Sequence, residues 1–318
     1  MSSRPAPLLA LVVPCYNEEE TLPRTLNALA ELLERCKAGG LIRPESYALY
    51  VDDGSRDRTW QVLEERHRHD PFCRGISFAA NAGHQNAVWA GMDTARQWGA
   101  DCIISLDADL QDDIGVIPEM LARYAEGCDI VYGVRKDRSS DTSFKRGTAH
   151  FFYRFMNWLN VRLIPDHADY RLVARPVLEV LPSYGEQTLF LRGLFPGLGF
   201  KSGKVYYARL SRQAGESKYP LLKMLSFAWK GITSCSAAPL RLAGLMSLLC
   251  MLAALAYSLV SLFQYMEGAV IPGWTSLIIV VLLLGSVQLF CLSVMGEYIA
   301  KIFTEVRRRP RYIVEKTL

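Results

Sequence analysis

The stretch IISLDADLQD, residues 103–112, is the part of the sequence from which the fold and the chemistry are both inferred. Its apolar start predicts a buried strand that ends in a loop rich in carboxylates. Asp107 and Asp109 are two residues apart, so both side chains can face the same side at a strand end. Two carboxylates that close repel each other unless a cation or a proton lies between them. The pair is therefore either two solvated loop aspartates or a binding site for a hard cation such as Mg²⁺ or Mn²⁺. Such a cation completes its coordination with phosphate oxygens.

The composition favours one sizeable α/β domain followed by a membrane-associated part. The chain has 318 residues, of which 50% are hydrophobic and 21% charged, with a net charge of +4, and the apolar excess lies after residue 238. No basic face interleaved with aromatic residues occurs in the polar part, which argues against nucleic-acid binding. The eight cysteines lack zinc-site or CxxC spacing, and the apolar run 8–13 is too short for a signal peptide. We expect reduced cysteines and a cytoplasmic catalytic domain.

Up to about residue 133 the hydrophobic pattern alternates between strand and helix. This alternation predicts a mostly parallel sheet with helices on both faces, whose ligands bind beyond the carboxyl ends of the strands. The predicted strands are 8–13, 47–51, 75–79, 102–106 and 130–133, and the predicted helices are 19–36, 84–98 and 114–125.

Polar residues cluster at the predicted strand ends. Residues 14–19 follow the first strand, 52–55 the second, Asn81 and His84 the third, and the Asp107–Asp109 pair the fourth. No GxGxxG or GxxxxGK[ST] motif is present, so the dinucleotide and P-loop phosphate cradles are missing. A nucleotide at this edge would need a metal on its phosphates, which is a role that the aspartate pair can fill.

Two uncharged segments, 242–265 and 274–295, are long enough to cross a hydrocarbon core of roughly 30 Å. Lysines and arginines flank them on both sides, so the positive-inside rule places both chain ends in the cytoplasm. A buried helix pair in a soluble protein is the alternative. We predict a cytoplasmic catalytic domain at 1–218, interfacial amphipathic helices at 219–240, two transmembrane helices within 241–296 and a basic cytoplasmic tail at 297–318.

Several motifs together resemble family 2 glycosyltransferases of the GT-A fold, a Rossmann-like domain. They are VPCYNEE at 13–19, DDGS at 52–55, DADLQD at 107–112 and VYGVR at 131–135. Three further motifs narrow the resemblance to polyprenyl-phosphate glycosyltransferases such as dolichol-phosphate mannose synthase. The bacterial undecaprenyl-phosphate (bactoprenol) glucosyltransferases, with two C-terminal spans, are the most similar. These three motifs are DYRL at 169–172, FLRG at 190–193 and GESKY at 215–219.

Two departures from the family pattern affect loop geometry only. Asp113–Ile114 stands where relatives usually have Pro-Pro or Pro-Glu, and Ala168 stands where they commonly have Gly. Neither departure removes a charged group, so we expect the activity to be retained.

The resemblance implies inverting transfer of glucose from UDP-glucose to undecaprenyl phosphate at the inner or plasma membrane, for modification of cell-envelope glycans. It implies Mg²⁺ or Mn²⁺ at Asp107 and Asp109, with Gln111 nearby. It also implies nucleotide binding by Pro14, Tyr16, Asn17, Glu18, Asp52, Asp53, Asp107 and Ala108.

Binding of the acceptor phosphate needs positively charged side chains more than it needs a general base. A phosphomonoester has its second pKa near 6 and is largely a dianion at neutral pH. Asp169 matches the residue sometimes proposed as the base in the family, and we expect it to orient the acceptor or the sugar. The candidates for the phosphate cradle are Arg135, Arg209, Arg212 and Lys218.

Other functions are open at this stage. The donor can be GDP-mannose or a UDP-aminoarabinose type of sugar nucleotide instead of UDP-glucose. A processive polysaccharide synthase would carry a Gln-x-x-Arg-Trp motif and spans on both sides of the domain, and the chain has neither. A non-enzymatic membrane scaffold would not bind nucleotide with metal. Two spans with an interfacial helix are also compatible with a homo-oligomer.

Overall fold

The computed structural model describes residues 4–136, 164, 167–187, 189–208, 238–266 and 273–318. These residues fall into two compact units. One contains the described residues up to 208 together with residues 309–318, and the other contains the described residues between 238 and 308.

The first unit is built on a mixed sheet that is mostly parallel on one side. Its strands are β1 (Leu9–Cys15), β2 (Tyr47–Asp52), β3 (Cys73–Phe78), β4 (Cys102–Ser105), β5 (Ile130–Arg135), β6 (His167–Ala174), β7 (Ser202–Tyr207) and β8 (Val314–Thr317). Their order across the sheet is β7-β5-β6-β4-β1-β2-β3-β8. Strands β4, β1, β2 and β3 are parallel, and so are β5 and β7, whereas β6 and β8 run antiparallel to their neighbours.

Helices cover both faces of this sheet, as the alternating pattern predicts. The helices are α1 (Leu22–Ala38), α2 (Thr59–His69), α3 (His84–Gln97), α4 (Ile117–Ala125), α5 (Arg175–Val180) and α6 (Leu191–Gly197), with single 3₁₀ turns at Ile114–Val116 and Leu181–Ser183. One core contains residues of α1, α2 and α4, and the other contains residues of α3, α5 and α6. Strand β1 shows why this arrangement forms. Its uninterrupted apolar sequence places Leu9 and Leu11 in the first core and Ala10 and Val12 in the second, so the strand is buried on both faces.

The structure adds elements that the sequence pattern does not predict. Helices α2, α5 and α6 and strands β6, β7 and β8 are absent from the predicted set. The strands and helices predicted up to residue 133 all occur within a few residues of their expected bounds. The segment predicted as a basic tail, 297–318, is helical up to Arg307, and its residues Val314–Thr317 form strand β8. A polar, short and exposed strand carries little hydrophobic pattern, which is why its sequence does not reveal it.

The second unit contains two long apolar helices, α7 (Ala238–Met266) and α8 (Trp274–Arg307). Both are long and apolar enough to cross a membrane, with candidate spans at Pro239–Tyr257 and Leu283–Arg307. They contain the two segments predicted at 242–265 and 274–295. They contact each other where the Cys291 Sγ lies 3.5 Å from the Ala243 carbonyl oxygen. Most of the predicted interfacial segment 219–240 lies outside the described residues.

Candidate active site

The predicted site residues come together at one edge of the sheet. The parallel strands β1, β2 and β4 all end there, and β6 begins there because it runs in the opposite direction. The antiparallel pairing places Arg171 of β6 opposite Ser105 of β4, and the Ser105 hydroxyl donates to the Asp169 carbonyl oxygen over 2.6 Å. This register places Asp169 beside the loop that carries Asp107 and Asp109.

The loops after β1 and β2 are joined by hydrogen bonds. The Asn17 backbone N–H donates to Ser55 Oγ, and the Asn17 side-chain oxygen accepts from the Arg56 N–H, both over 2.9 Å. Asn17 has φ 54°, a left-handed conformation that Asn tolerates better than most residues. The Glu18 N–H donates to Thr59 Oγ1 over 2.8 Å. These contacts fix the loop in which Tyr16 is exposed, at the end of the strand that contains the buried Pro14.

Asp52 and Asp53 are both buried and organise the neighbouring loops. Asp52 accepts hydrogen bonds from the Ser77 hydroxyl and the Ser55 N–H. Asp53 accepts from the N–H groups of Ala82 and Gly83 over 2.6 and 2.9 Å. Burial raises the pKa of Asp53, and these two backbone donors offset only part of that effect. In this structure both carboxylates are engaged within the protein, and their predicted role in nucleotide binding stays a prediction.

Gly54 is required between these loops. Its φ is +65°, and a Cβ at this position would lie 2.7 Å from the Ala80 carbonyl carbon and from the Asn81 nitrogen. A side chain here would push apart the two loops that Asp53 joins.

Asp107 is partly exposed, whereas Ala108 between the two aspartates is buried. The Ala108 carbonyl oxygen accepts from the Thr25 hydroxyl over 2.5 Å, and Asp109 Oδ1 accepts from the Gln111 N–H over 3.1 Å. Burial raises the pKa of Asp107 to about 6, since the His84 charge only partly compensates and the Asp112, Asp169 and Asp109 charges add to the rise. The loop therefore concentrates negative charge that a cation would neutralise.

The donor set at this loop fits a hard divalent cation. Carboxylate oxygens of Asp107 and Asp109 are the ligands that Mg²⁺ and Mn²⁺ prefer, and Gln111 is buried next to them. Within the described residues, no group of three or more His, Cys, Asp or Glu side chains is placed to hold a metal. Two carboxylates suffice for a cation whose remaining ligands are water and substrate phosphates.

Asp169 is a buried carboxylate that contacts two arginines. Arg171 Nη2 lies 2.5 Å from Asp169 Oδ1, and Arg192 spans the same carboxylate with Nη2 3.0 Å from Oδ2 and Nε 3.4 Å from Oδ1. Burial alone would raise the pKa of Asp169. The hydrogen bond with His84 and the charges of Arg171 and Arg192 outweigh burial and hold that pKa well below its usual range. Asp169 is thus charged at neutral pH and has little capacity to accept a proton.

His84 lies between the two acidic groups at the start of α3. Its Nε2 is 3.8 Å from Asp107 Oδ1 and 3.6 Å from Asp169 Oδ2. Burial lowers the pKa of His84, but the hydrogen bond with Asp169 and the charges of both aspartates raise it above its ordinary value. The sequence places His84 in this loop but does not suggest this bridging position.

Arg135, the first of the predicted phosphate-binding residues, lies at the end of β5. Its Nη2 is 3.3 Å from Asp112 Oδ1, and its Nε donates to the Tyr207 hydroxyl, which itself donates to Asp112 over 2.5 Å. Burial lowers the pKa of Arg135, but the charge of Asp112 and the hydrogen bonds with Tyr207 and Asp112 together outweigh burial, and the pKa is raised. The other three candidates, Arg209, Arg212 and Lys218, lie outside the described residues.

Sequence reasoning missed four residues of this site as individual candidates. Gln85, whose side-chain amide lies 3.4 Å from Asp169, and Tyr207 carry no distinctive sequence signal. Asp112 and Arg192 lie inside the motifs at 107–112 and 190–193 that carry the family resemblance, and that position was a usable signal.

Comparison with known proteins identifies the family of this chain. The family model for glycosyl transferase family 2 matches residues 10–181, which is the part of the chain that supplies most of the sheet edge. This chain belongs to glycosyl transferase family 2. A second family model, the GtrB C-terminal hairpin, matches residues 238–302 of this glycosyltransferase, and α7 and α8 form that hairpin.

Relatives match this family 2 glycosyltransferase over nearly its whole length. Glycosyltransferase YkoT of Bacillus subtilis (strain 168) is 47% identical over 309 residues, covering 97% of this chain and 91% of the relative. The prophage bactoprenol glucosyl transferase homolog of Escherichia coli (strain K12) is 35% identical over 310 residues, covering 97% and 98%. Glucosyl-3-phosphoglycerate synthase of Mycobacterium tuberculosis, solved with Mn²⁺, UDP-glucose and phosphoglyceric acid, is 16% identical at a TM-score of 0.46 and covers 71% and 78%.

Proposed function

We propose that this glycosyltransferase transfers glucose from UDP-glucose to a polyprenyl phosphate, with inversion at the anomeric carbon. The observation that carries the proposal is the meeting of an acidic pair, Asp107 and Asp109, with arginines held by buried carboxylates at one sheet edge. Such an edge can hold a donor diphosphate and an acceptor phosphate side by side. The 35% identity to relatives named bactoprenol glucosyl transferases, over 97% of the chain, supports the lipid acceptor and the glucosyl group.

The donor would lie over the ends of β1, β2 and β4. The joined loops at Asn17 and Asp53 would bind the nucleoside part, in line with the family resemblance. Asp107 and Asp109, with Gln111 nearby, would hold Mg²⁺ or Mn²⁺, which when bound supplies positive charge to the diphosphate as it leaves. The protein contributes the fixed carboxylates and the rigid loops that set their spacing, so little reorganisation is needed during reaction.

The acceptor would attack through a phosphate oxygen without a dedicated protein base. A phosphomonoester is largely a dianion at pH 7, so it carries its own nucleophilic oxygen. Asp169 has a strongly lowered pKa and contacts two arginines, which makes it a poor proton acceptor. The chain therefore has to orient the phosphate and neutralise its charge, and orientation of two bound reactants is a large source of rate enhancement.

The proposed location follows from the same acceptor. We infer that α7 and α8 cross the inner or plasma membrane and that the catalytic unit and both termini are cytoplasmic, where sugar nucleotides are available. The apolar length of both helices and the arginines at 307–309 and 311 support this orientation.

A donor panel tests the proposed function. Purified full-length protein in lipid nanodiscs is incubated with undecaprenyl phosphate and labelled UDP-glucose, GDP-mannose or UDP-aminoarabinose, each with Mn²⁺ and with excess chelator. We expect lipid-linked glucose from UDP-glucose, loss of product with chelator, and a β-linked product by NMR. Efficient transfer from another donor would correct the sugar, and transfer from none by folded protein would refute the function.

A further inference from the structure

Arg192 and Arg171 both contact the Asp169 carboxylate, but of the two side chains Arg192 is the one exposed at the site. The Arg192 side chain is 38% exposed, whereas the side chains of Asp169 and Arg171 are 8% and 1% exposed. Arg171 is enclosed by the Leu191 carbonyl oxygen, which it contacts over 3.2 Å, and by the Phe195 ring below its guanidinium. The Asp169 carboxylate faces two guanidinium groups, so these three side chains together carry one net positive charge. Arg192 is the exposed member and can offer this charge to a ligand.

We infer that Arg192 binds the acceptor phosphate and that Asp169 is a positioning residue that aims its guanidinium. The inference rests on the proposed function and deepens it. Two nitrogens of Arg192 lie against Asp169, at 3.0 and 3.4 Å, which leaves the remaining N–H groups of the planar guanidinium available on its outer side. A planar fork that is already fixed loses little conformational entropy when it binds phosphate oxygens.

Arg135, at the end of strand β5, is also a partly exposed arginine beside a buried carboxylate. Its side chain is 30% exposed, and its guanidinium lies beside Asp112, whose side chain is 5% exposed. Each cation thus has one buried carboxylate behind it and a partly exposed outer side. Burial lowers the pKa of Arg192 and the charge of Arg135 lowers it further, as expected for two cations that share one region, although the Asp169 charge and hydrogen bond raise it overall. A dianionic phosphate between two such cations would relieve their repulsion.

The strand order assigns these cations to the acceptor and not to the donor. Across the sheet, the β2 and β1 ends carry the Asn17 and Asp53 loops, β4 carries the acidic pair, and then come β6 with Asp169 and β5 with Arg135. The donor diphosphate binds at the acidic pair. The two arginines therefore lie on the opposite side of the diphosphate from the loops that bind the nucleoside. An acceptor phosphate held by these arginines would approach the donor from the side away from the nucleoside loops.

Steady-state kinetics of the full chain in nanodiscs test this assignment. We expect Arg192→Ala to raise KM for undecaprenyl phosphate by about tenfold or more, with KM for UDP-glucose changed by less than about twofold, and Arg192→Lys to lie between, because lysine keeps the charge but not the fork. Arg175→Ala is the matched control, since Arg175 forms an exposed ion pair with Glu179 away from the site. Binding of UDP with Mn²⁺, measured by calorimetry, should stay at the wild-type affinity in the Arg192 variants.

Chemical rescue tests the positioning role of Asp169. Added guanidinium at millimolar concentration should lower KM for the acceptor in Arg192→Ala, and should fail to do so in the Asp169→Asn/Arg192→Ala double variant, because the carboxylate that holds the guanidinium is gone. A purely structural ion pair would show neither the selective KM effect nor the rescue. Circular dichroism shows whether each variant is folded, and Arg192→Lys keeps the test valid where Arg192→Ala does not fold.

Three results would overturn the inference. They are an unchanged acceptor KM in folded Arg192→Ala, a rise in the UDP-glucose KM in place of the acceptor KM, and rescue that persists without Asp169. The second result would assign Arg192 to the donor diphosphate. Wild-type protein that transfers no sugar in the same assay would instead refute the proposed function, so the two failures are distinguishable.

Discussion

Asp107 is held in a charge environment that costs the folded protein stability. Its pKa is raised to about 6, from burial first and from the neighbouring acids next, despite the favourable charge of His84. A carboxyl whose pKa is higher in the folded than in the unfolded state binds protons more tightly when folded, so folding stability falls as the pH rises from about 4 to about 6. A site that is destabilising when empty is typical of a group kept for binding.

Removal of that charge should therefore stabilise the metal-free protein. We expect Asp107→Asn to raise the free energy of unfolding by on the order of 1 kcal/mol at pH 7, after allowance for the partial exposure of the side chain, and to abolish transfer. The gain should shrink as the pH is lowered from about 6 toward 4, because the folded wild-type carboxyl becomes protonated, and it should vanish well below pH 4, where the carboxyl is protonated in both states. Denaturant unfolding in metal-free buffer at several pH values measures it. Equal or lower stability of the variant at pH 7 would show that the acids do not repel as described.

Individual residues differ in how well the sequence predicts them. Asp107 and Asp109 are predictable, since two acids after an apolar run signal a strand end. The motif at 190–193 marks Arg192 as a candidate, but its role is not predictable, because that role depends on a contact with Asp169, 23 positions away, and on the burial of Arg171, which removes the competing cation from the solvent. His84 likewise gains its place between two aspartates only when β4, β6 and α3 are assembled.

The C-terminal strand β8 illustrates the same limit for whole elements. Its side chains are exposed, yet it pairs with β3, and its neighbours anchor it. Tyr312 stacks on Phe78 with ring centroids 4.9 Å apart, and the Leu318 N–H donates to the Gly75 carbonyl oxygen. The Ala79 N–H donates to the Ile313 carbonyl oxygen. Ala79 begins the loop whose backbone N–H groups cap Asp53, so the last residues of the chain support the site.

Deletion of residues 313–318 should weaken both the fold and the site. We expect a loss of about 1–2 kcal/mol in unfolding free energy, from the partly buried Leu318 and the strand hydrogen bonds, and a KM for UDP-glucose raised by about threefold or more as the Ala79–Gly83 loop loosens. Exposure of the β3 edge should also increase aggregation. Thermal unfolding and donor kinetics measure these effects, with Glu315→Ala, an exposed change within β8, as the control. Wild-type stability and donor KM after the deletion would rule out this supporting role.

At the level of the whole chain, the order of elements was largely predictable and the mixed sheet was not. Alternation of strand and helix up to residue 133 gives the parallel part, because period and loop residues are local signals. Strands β6 and β7 follow segments without alternation, and their pairing with β5 depends on contacts distant in sequence. The two apolar helices were the easiest elements to predict, because a long uncharged run needs no partner to be recognised.

Membrane orientation is the prediction that concerns the chain as a whole. If the C-terminus is cytoplasmic, green fluorescent protein joined after Leu318 by a flexible linker should be fluorescent. Alkaline phosphatase joined at the same point should then be inactive. The same phosphatase inserted at 267–272, between the two apolar helices, should be active. The opposite pattern of activities would place the catalytic unit on the wrong side for sugar nucleotides.

The central claim is that this family 2 glycosyltransferase uses the Asp107–Asp109 pair to transfer glucose to a polyprenyl phosphate. The most direct test counts labelled glucose extracted into the lipid phase after incubation of UDP-glucose, Mn²⁺ and undecaprenyl phosphate with wild-type protein or with Asp109→Asn. We predict product with wild type and a decrease of about 100-fold or more with Asp109→Asn, while the folded state of the variant is retained. No lipid-linked glucose from folded wild-type protein, or equal product from Asp109→Asn, would contradict the claim.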